Sequence, residues 1–287
     1  MARLSFAWRM ARQRWSSGNA LCPYCDSRFA DRLQRKWLLI EARQCLHCGL
    51  IFRWPTDPAE ANRAFYETDY DGQQATDVPD AAAAAAMASN GFTGTAWHRG
   101  DRIAFVERAL GKANGRTLLD FGCSWGYATQ QYKAGGWAAH GFEIDRRRAA
   151  FGRTALGLDI KSDLAEYRGR QFDVILADHS LEHVPKLGDT LNAWTELAAR
   201  DAALIVFVPN ASCRDARRLG VGWGPFIGES HTVALTMDWF ARNLPRHGYR
   251  AEFRRQDGVP LLYGEYLDDC AEICMVARRV SPPVTGA

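Results

Sequence analysis

From residue 116 onward, short apolar runs alternate with amphipathic stretches, and this alternation constrains the fold more than any other feature of the chain. "RTLLDF", "AAHGFEI", "LDIKSD", "FDVILAD", "ALIVFVP", "YRAEFRRQ" and "EICMVARRV" read as strands. "RRRAAFGRTAL", "LGDTLNAWTELAAR" and "TMDWFARNLPRHG" read as the helices between them. Strands that are apolar throughout and separated by helices belong to a mostly parallel sheet covered on both faces. Ahead of the first strand, "DRIAFVERALG" places Ile103, Val106 and Leu110 on one helical face. The class is α/β.

The first strand ends in an acid and opens into glycines: "LLDFGCSWGYATQ", residues 118–130. This spells strand, tight turn and helix, the layout of a nucleotide-binding loop. Its pattern is Asp120-x-Gly122-x-x-x-Gly126, which is neither a dinucleotide fingerprint nor a P-loop. Gly122 lets the backbone turn and a ligand approach without a Cβ in the way. Glu143, at the end of the second strand, can take both hydroxyls of a ribose. Asp163 can accept from an adenine amino group, and Leu164 can donate its backbone N–H. A carboxylate at Asp120 suits a cationic ligand better than a pyrophosphate. Ribose, adenine and a cation without phosphate describe S-adenosylmethionine.

On "LLDFGCSWG", the acid of "GFEID", the acid of "SDL" and "FDVILADHSLEHV", the chain resembles the class I S-adenosylmethionine-dependent methyltransferases over about residues 100–280. The resemblance implies a Rossmann-like seven-stranded sheet with helices on both faces. It also implies cofactor contacts from Asp120, Gly122, Cys123 and Gly126, from Glu143 and Ile144, from Asp163 and Leu164, and from Asp178.

"CPYC" at 22–25 and "CLHC" at 45–48 are separated by nineteen residues. Two Cys-x-x-Cys pairs at this spacing form a zinc ribbon, with Cys22, Cys25, Cys45 and Cys48 closing a tetrahedral, structural Zn²⁺ site. His47 is not needed as a ligand, because a fourth cysteine is present. The other four cysteines, 123, 213, 270 and 274, are scattered through segments that read as core or loop, so no disulfide framework is expected. The order of ribbon, "FYETDYDG" and catalytic domain is similar to bacterial methyltransferases of sugar, polysaccharide and natural-product pathways. That resemblance implies a small-molecule or glycan acceptor, and it places Tyr66 and Tyr70 near the entrance.

After the fourth strand the chain reads Asp178-His179-Ser180-Leu181-Glu182-His183-Val184. An oxygen nucleophile sheds a proton on methylation, so a base is expected there. His183 is the first candidate. In a second reading, His179, Glu182 and His183 hold a divalent metal, as the "Glu-x-x-Glu-His" run of ubiquinone-pathway O-methyltransferases does, although histidine at the first position suits Mg²⁺ poorly. In a third, Glu182 and His183 only begin a helix. His231 in "GESHTVALT" is a further base candidate. Trp223 and Phe226 either wall an acceptor pocket or plug a loop.

The expected organisation is a basic amphipathic segment at 1–19, a ribbon at 20–55, a helical connector or lid at 56–100, the catalytic domain at 101–280 and a tail at 281–287. In the first segment Leu4, Trp8, Ala11 and Trp15 share a helical face among arginines. Such a helix lies on a membrane surface, meets a protein partner, or packs on its own body. No apolar run approaches the ~20 residues of a membrane span, and arginines interrupt any signal-peptide core, so a cytoplasmic location is expected. A net charge of +3 argues weakly for nucleic acid. Two alternative functions stay open. One is an RNA methyltransferase that uses the ribbon's Arg28, Arg32, Arg35 and Lys36, although "ADHS" stands where base N-methylating enzymes show an Asn/Asp-Pro-Pro-aromatic run. The other is an interaction module that keeps the fold without catalysis.

Overall fold

The computed structural model describes residues 2–16, 21–69, 77–261 and 270–280. Helix α1 (Ala2–Ser16) leads into a small antiparallel sheet. Its strands are β1 (Ala30–Lys36), β2 (Ile40–Cys45) and β3 (Ile51–Trp54). The helix docks through Phe6 and Met10, which bury against Ile40. Of the three readings, packing on the protein's own body is thus made by the other face: Trp8 and Trp15 point to solvent at 67% and 91% exposure. The docked side wins because arginines and a glutamine on it find buried acids. Arg9 and Gln13 reach Asp57, and Arg14 reaches Glu41.

The connector forms α2 (Ala59–Ala64), a wide helical turn over Phe65–Asp69, and α3 (Ala81–Ser89), whose N-terminus Asp80 caps by accepting from the Ala83 amide. Then α4 (Gly100–Leu110) precedes the large sheet. In chain order come β4 (Thr117–Phe121), α5 (Tyr127–Ala134), β5 (Ala138–Phe142), α6 (Arg146–Leu156) and β6 (Ile160–Lys161). They are followed by β7 (Phe172–Asp178), α7 (Leu187–Leu197), β8 (Ala198–Pro209) and α8 (Arg214–Leu219). Last come β9 (Val233–Ala234), α9 (Met237–Asn243), β10 (Tyr249–Arg254) and β11 (Glu272–Arg279).

Seven strands form one sheet in the order β10-β11-β8-β7-β4-β5-β6, the Rossmann-like α/β arrangement expected from the alternation. The first five strands in sequence run parallel, and β11 runs antiparallel to both β8 and β10. On one face Phe105 and Val106 of α4 and Tyr132 of α5 pack on Leu118, Val174 and Phe207. On the other, Trp194 of α7 and Trp239 and Phe240 of α9 share a core with Leu119, Ile175 and Val206.

The same core takes in Cys22, Cys48, Leu50, Phe52 and Trp54, so the cysteine module is packed against the body built on the large sheet. Two hydrogen-bonded joints fix it there. Strand β9, far along the chain, adds to the edge of β3, pairing Ile51 with Ala234 and Phe52 with Val233. Beside it the guanidinium of Arg53, fully buried, donates to the carbonyls of Gly228 and Glu229 and pairs with Asp57. A buried charge is tolerable only when paired and hydrogen-bonded in this way. Among the described residues no helix is long and apolar enough to cross a membrane.

Candidate functional site

After β4 the chain moves outward through β5 and β6, then returns to the other side of β4 as β7. The carboxyl ends of β4 and β7 thus flank the point where strand order reverses, and a crevice opens there in folds of this kind. Two turns meet at it. Gly122 adopts φ +81°, and a Cβ on it would lie 2.4 Å from the Ser180 Cβ, so only glycine fits. Ser180 in turn donates from Oγ to the Phe121 carbonyl at 2.7 Å. Gly126, at φ +87°, begins α5 where a Cβ would strike Leu158.

The crevice is a cavity of ≈ 260 Å³. Phe121, Gly122 and Ser124 line it from the first turn; Phe142, Glu143, Ile144 and Arg148 from β5 and α6; Leu164 from the next loop. His179, Ser180, His183 and Lys186 close it from the β7 side, and Asn62 and Tyr66 from the connector. Glu143 is buried, and its two oxygens accept from the amides of Ser124 and Asp145 at 2.9 and 2.8 Å. Burial raises its pKa despite those bonds. The Ser124 Oγ is buried with no partner. A fixed carboxylate, a free hydroxyl and aromatic walls suit a nucleoside, with the carboxylate's remaining lone pairs open to a ribose diol.

The β7 side brings three histidines together. His179 sits at φ +50° with Nδ1 3.3 Å from Glu182 and Nε2 2.7 Å from Glu272. Burial opposes its charge, but the two carboxylates outweigh it and lift its pKa to about 10, so it is an imidazolium. His183 is set the opposite way. Burial brings its pKa down to about 4, and its Nδ1 lies 3.1 Å from the Ser230 carbonyl. A carbonyl only accepts, so Nδ1 carries the proton and Nε2 keeps a lone pair. His231 makes the same kind of contact, with Nδ1 2.8 Å from the Pro225 carbonyl. The two rings stand edge to face at 4.7 Å. Ligand atoms of Glu182, His183 and His231 all lie within 4.8 Å of one another, and the buried Glu182 Oε2 has no partner. This cluster can take up a proton or hold a cation.

A sequence profile of the family described as "Methyltransferase domain" matches residues 96–250, more than half of the chain. The chain belongs to this family. It is an S-adenosylmethionine-dependent methyltransferase. Its fold is similar to that of the 1,6-didemethyltoxoflavin-N1-methyltransferase of Burkholderia thailandensis, solved with 1,6-didemethyltoxoflavin and S-adenosylhomocysteine. That likeness has 15% identity and a TM-score of 0.50, covering 88% of this chain and 100% of that one. The magnesium protoporphyrin IX methyltransferase of Synechocystis PCC 6803, with bound S-adenosylhomocysteine, is similar at 15% identity and TM-score 0.50, over 77% of this chain and 100% of that one. No curated protein matches the chain significantly.

Several residues expected at the methyltransferase site stand outside the cavity lining. Asp120 is buried, with Oδ2 accepting from the Thr129 hydroxyl at 2.7 Å and burial raising its pKa to about 7. Cys123 packs with Ala149, Leu158 and Ile160 under β5, because its side chain fills the space over Gly141. Gly126 shapes the start of α5 and does not line the cavity. Asp163 is exposed and spends its carboxylate on the Ala165 amide. Asp178 faces a second, polar cavity of ≈ 600 Å³, paired with Arg102 at 3.2 Å and Arg99 at 3.9 Å. His179 lines both cavities. Phe226 is buried with Ile227, Ala42 and Ile51, and Trp223 packs on them, so this pair is a plug and no cavity wall. Tyr70 and the 281–287 tail lie outside the described residues, as do residues 17–19 of the basic segment. Sequence reasoning did not single out Asn62, Arg148 or Lys186, which carry no motif and reach the cavity only through packing.

The four expected metal ligands converge. The Cys22 and Cys48 sulfurs are 3.5 Å apart, and those of Cys25 and Cys45 are 3.6 Å apart. Both pairs sit on like turns, in which the amides of Asp26 and Gly49 donate to the carbonyls of Cys22 and Cys45. The hydrogen bond from Cys22 holds the Cys48 thiol down to about 5, while the same contact and burial push Cys22 up. Four thiols this close become thiolates together only around a cation, and the donor set is that of a closed tetrahedral zinc site.

If the cavity takes the cofactor's ribose at Glu143, Glu143→Ala removes the acceptor for its hydroxyls. It should weaken S-adenosylmethionine about 30- to 100-fold by calorimetry, the worth of charge-assisted bonds in a buried site. An unchanged dissociation constant would remove the cofactor from this cavity.

Proposed function

We propose that this methyltransferase acts on a small molecule, methylating a hydroxyl of a sugar, a polysaccharide precursor or a natural product. The observation that carries the reading is the His183 imidazole, neutral and facing the cavity with its basic Nε2 free. The small-molecule acceptors in the names of the two similar structures support the class.

Glu143, Ile144 and Leu164 would hold the nucleoside half of the cofactor, with Ser124 Oγ as a further contact. The amino-acid end would run toward the junction at His179, where Arg99 and Asp178 face the second cavity. S-adenosylmethionine supplies an electrophilic methyl on a sulfonium. The chain's own work is to place the acceptor and remove its proton. His183 Nε2 takes that proton, and the imidazolium that forms gains the field of Glu182, 3.9 Å away. His179, fixed between two carboxylates, holds Glu182 in position. The cysteine module, tied by β9 and Arg53, sets the loop that carries the Ser230 carbonyl and His231.

A second reading has its own observation. The buried Glu182 Oε2 without a partner and two imidazoles held at Nδ1 by carbonyls also fit a divalent cation. His231 would complete that set in place of His179, which is committed to Glu182 and Glu272.

His183→Asn should lower turnover by about 10²- to 10⁴-fold with cofactor affinity within a few-fold, the usual worth of a general base. Because the pKa of His183 is depressed, wild-type kcat/KM should fall only as pH drops through about 4, not near 6.5. A silent variant, with turnover lost instead in His231→Asn, would move the base to the later loop. Turnover abolished by chelator and restored by added divalent ion would favour the cation reading.

Elemental analysis of protein purified without chelator should find one zinc per chain. Cys48→Ser should remove it and lower the melting temperature. Metal-free protein of unchanged stability would refute a structural zinc.

A further inference from the structure

Helix α1 has two apolar sides. Phe6 and Met10 are spent on docking, whereas Trp8 and Trp15, seven residues apart and so on one face, stand in solvent. The hairpin between β1 and β2 repeats the feature beside it. Two of its three turn residues, Trp37 and Leu38, have φ +53° and +57° and are 61% and 75% exposed. Consecutive positive φ values in a hairpin turn ordinarily select asparagine and glycine. Here the left-handed backbone is forced on two bulky side chains that gain almost no packing in return. The tip adjoins α1, because Phe6 and Met10 pack on Ile40 and Leu39 just beyond it.

The charge of this region is as lopsided as its apolar surface. Residues 1–45 hold nine basic side chains and three acids, a net +6, in a chain whose total is +3. Four guanidiniums, those of Arg14, Arg32, Arg35 and Arg43, converge within 4.0 Å of the single carboxylate of Glu41. One carboxylate among four guanidiniums leaves this cluster net positive. The Lys36 ammonium lies over the Trp37 ring at 5.0 Å.

We propose that α1 and the β1–β2 tip form a docking surface for an anionic lipid bilayer. Exposed indoles and a leucine on a helix face and a hairpin tip, within a segment rich in arginine and lysine, suit the boundary between headgroups and acyl chains. A single-stranded nucleic acid stacks its bases in a groove, and these side chains project from a helix face and a hairpin tip. A second copy would bring one arginine-rich surface against another. The surface adds a membrane address to the methyltransferase without altering its chemistry.

The test is flotation of the full chain with 100-nm vesicles of phosphatidylcholine and phosphatidylserine at 7:3, against phosphatidylcholine alone. Partition onto the anionic vesicles only, reduced by raised salt and at least tenfold weaker in the Trp8→Ser/Trp15→Ser/Trp37→Ser variant, is expected. S-adenosylmethionine affinity should be the same in both proteins. A charge variant, Arg32→Glu/Lys36→Glu, should lose partition as well, and wild-type tryptophan emission should shift to the blue and be quenched by brominated lipid. No partition by the wild type, or equal partition by all three proteins, overturns the proposal. So does a doubling of mass in sedimentation that the tryptophan variant abolishes, or tight binding of a single-stranded RNA oligomer with no vesicle binding.

Discussion

The buried Arg53–Asp57 pair is the constraint on which the arrangement of this molecule turns. A guanidinium with no exposed surface must find its partners internally, and each nitrogen of Arg53 donates, to Asp57 and to the carbonyls of Pro55, Gly228 and Glu229. Breaking such a pair typically costs about 3–5 kcal/mol, because the partner is left charged and buried. Asp57 also takes Arg9 and Gln13 of α1. One ion pair therefore joins the N-terminal helix, the cysteine module and the loop at 228–232. From that loop the Thr232 amide and hydroxyl reach the carbonyls of Glu182 and Val184, on either side of His183.

The site gains its chemistry from unequal treatment of like groups. His179 and His183 are four residues apart, yet one is driven to an imidazolium and the other to a neutral ring. Two carboxylates clamp the first; burial and a carbonyl at Nδ1 fix the second. Asp120 and Glu143 are both buried carboxyls with raised pKa values, a background in which a cationic ligand is favoured over an anionic one. That accords with a cofactor carrying a sulfonium and no phosphate.

The sheet was legible in the sequence because its central strands β4, β7 and β8 are largely apolar and its helices keep one face, so period and order suffice. That Glu143 and Gly122 would meet at one cavity was legible from strand ends: one is a carboxylate just after β5, the other a turn position where no Cβ fits. The four cysteines were legible from spacing alone. What spacing does not encode is which way a side chain turns once neighbours compete for it. Asp120 turned to Thr129, Cys123 to the space over Gly141, and Asp178 to Arg102. Both faces of α1 are apolar, and only the buried acids at 41 and 57 decide which one docks. The β3–β9 joint pairs residues about 180 positions apart, beyond the reach of any local pattern.

The central claim is that the loop held by Arg53 fixes His183 as a neutral ring with its lone pair on Nε2. Imidazole ¹⁵N NMR of the full chain at pH 7, with His183 assigned by substitution, reads the tautomer directly. The account predicts the Nδ1–H form, no titration until about pH 4, and a mixture of tautomers in Arg53→Met. A proton found on Nε2 in the wild type, or a ring that titrates near 6.5, would contradict it.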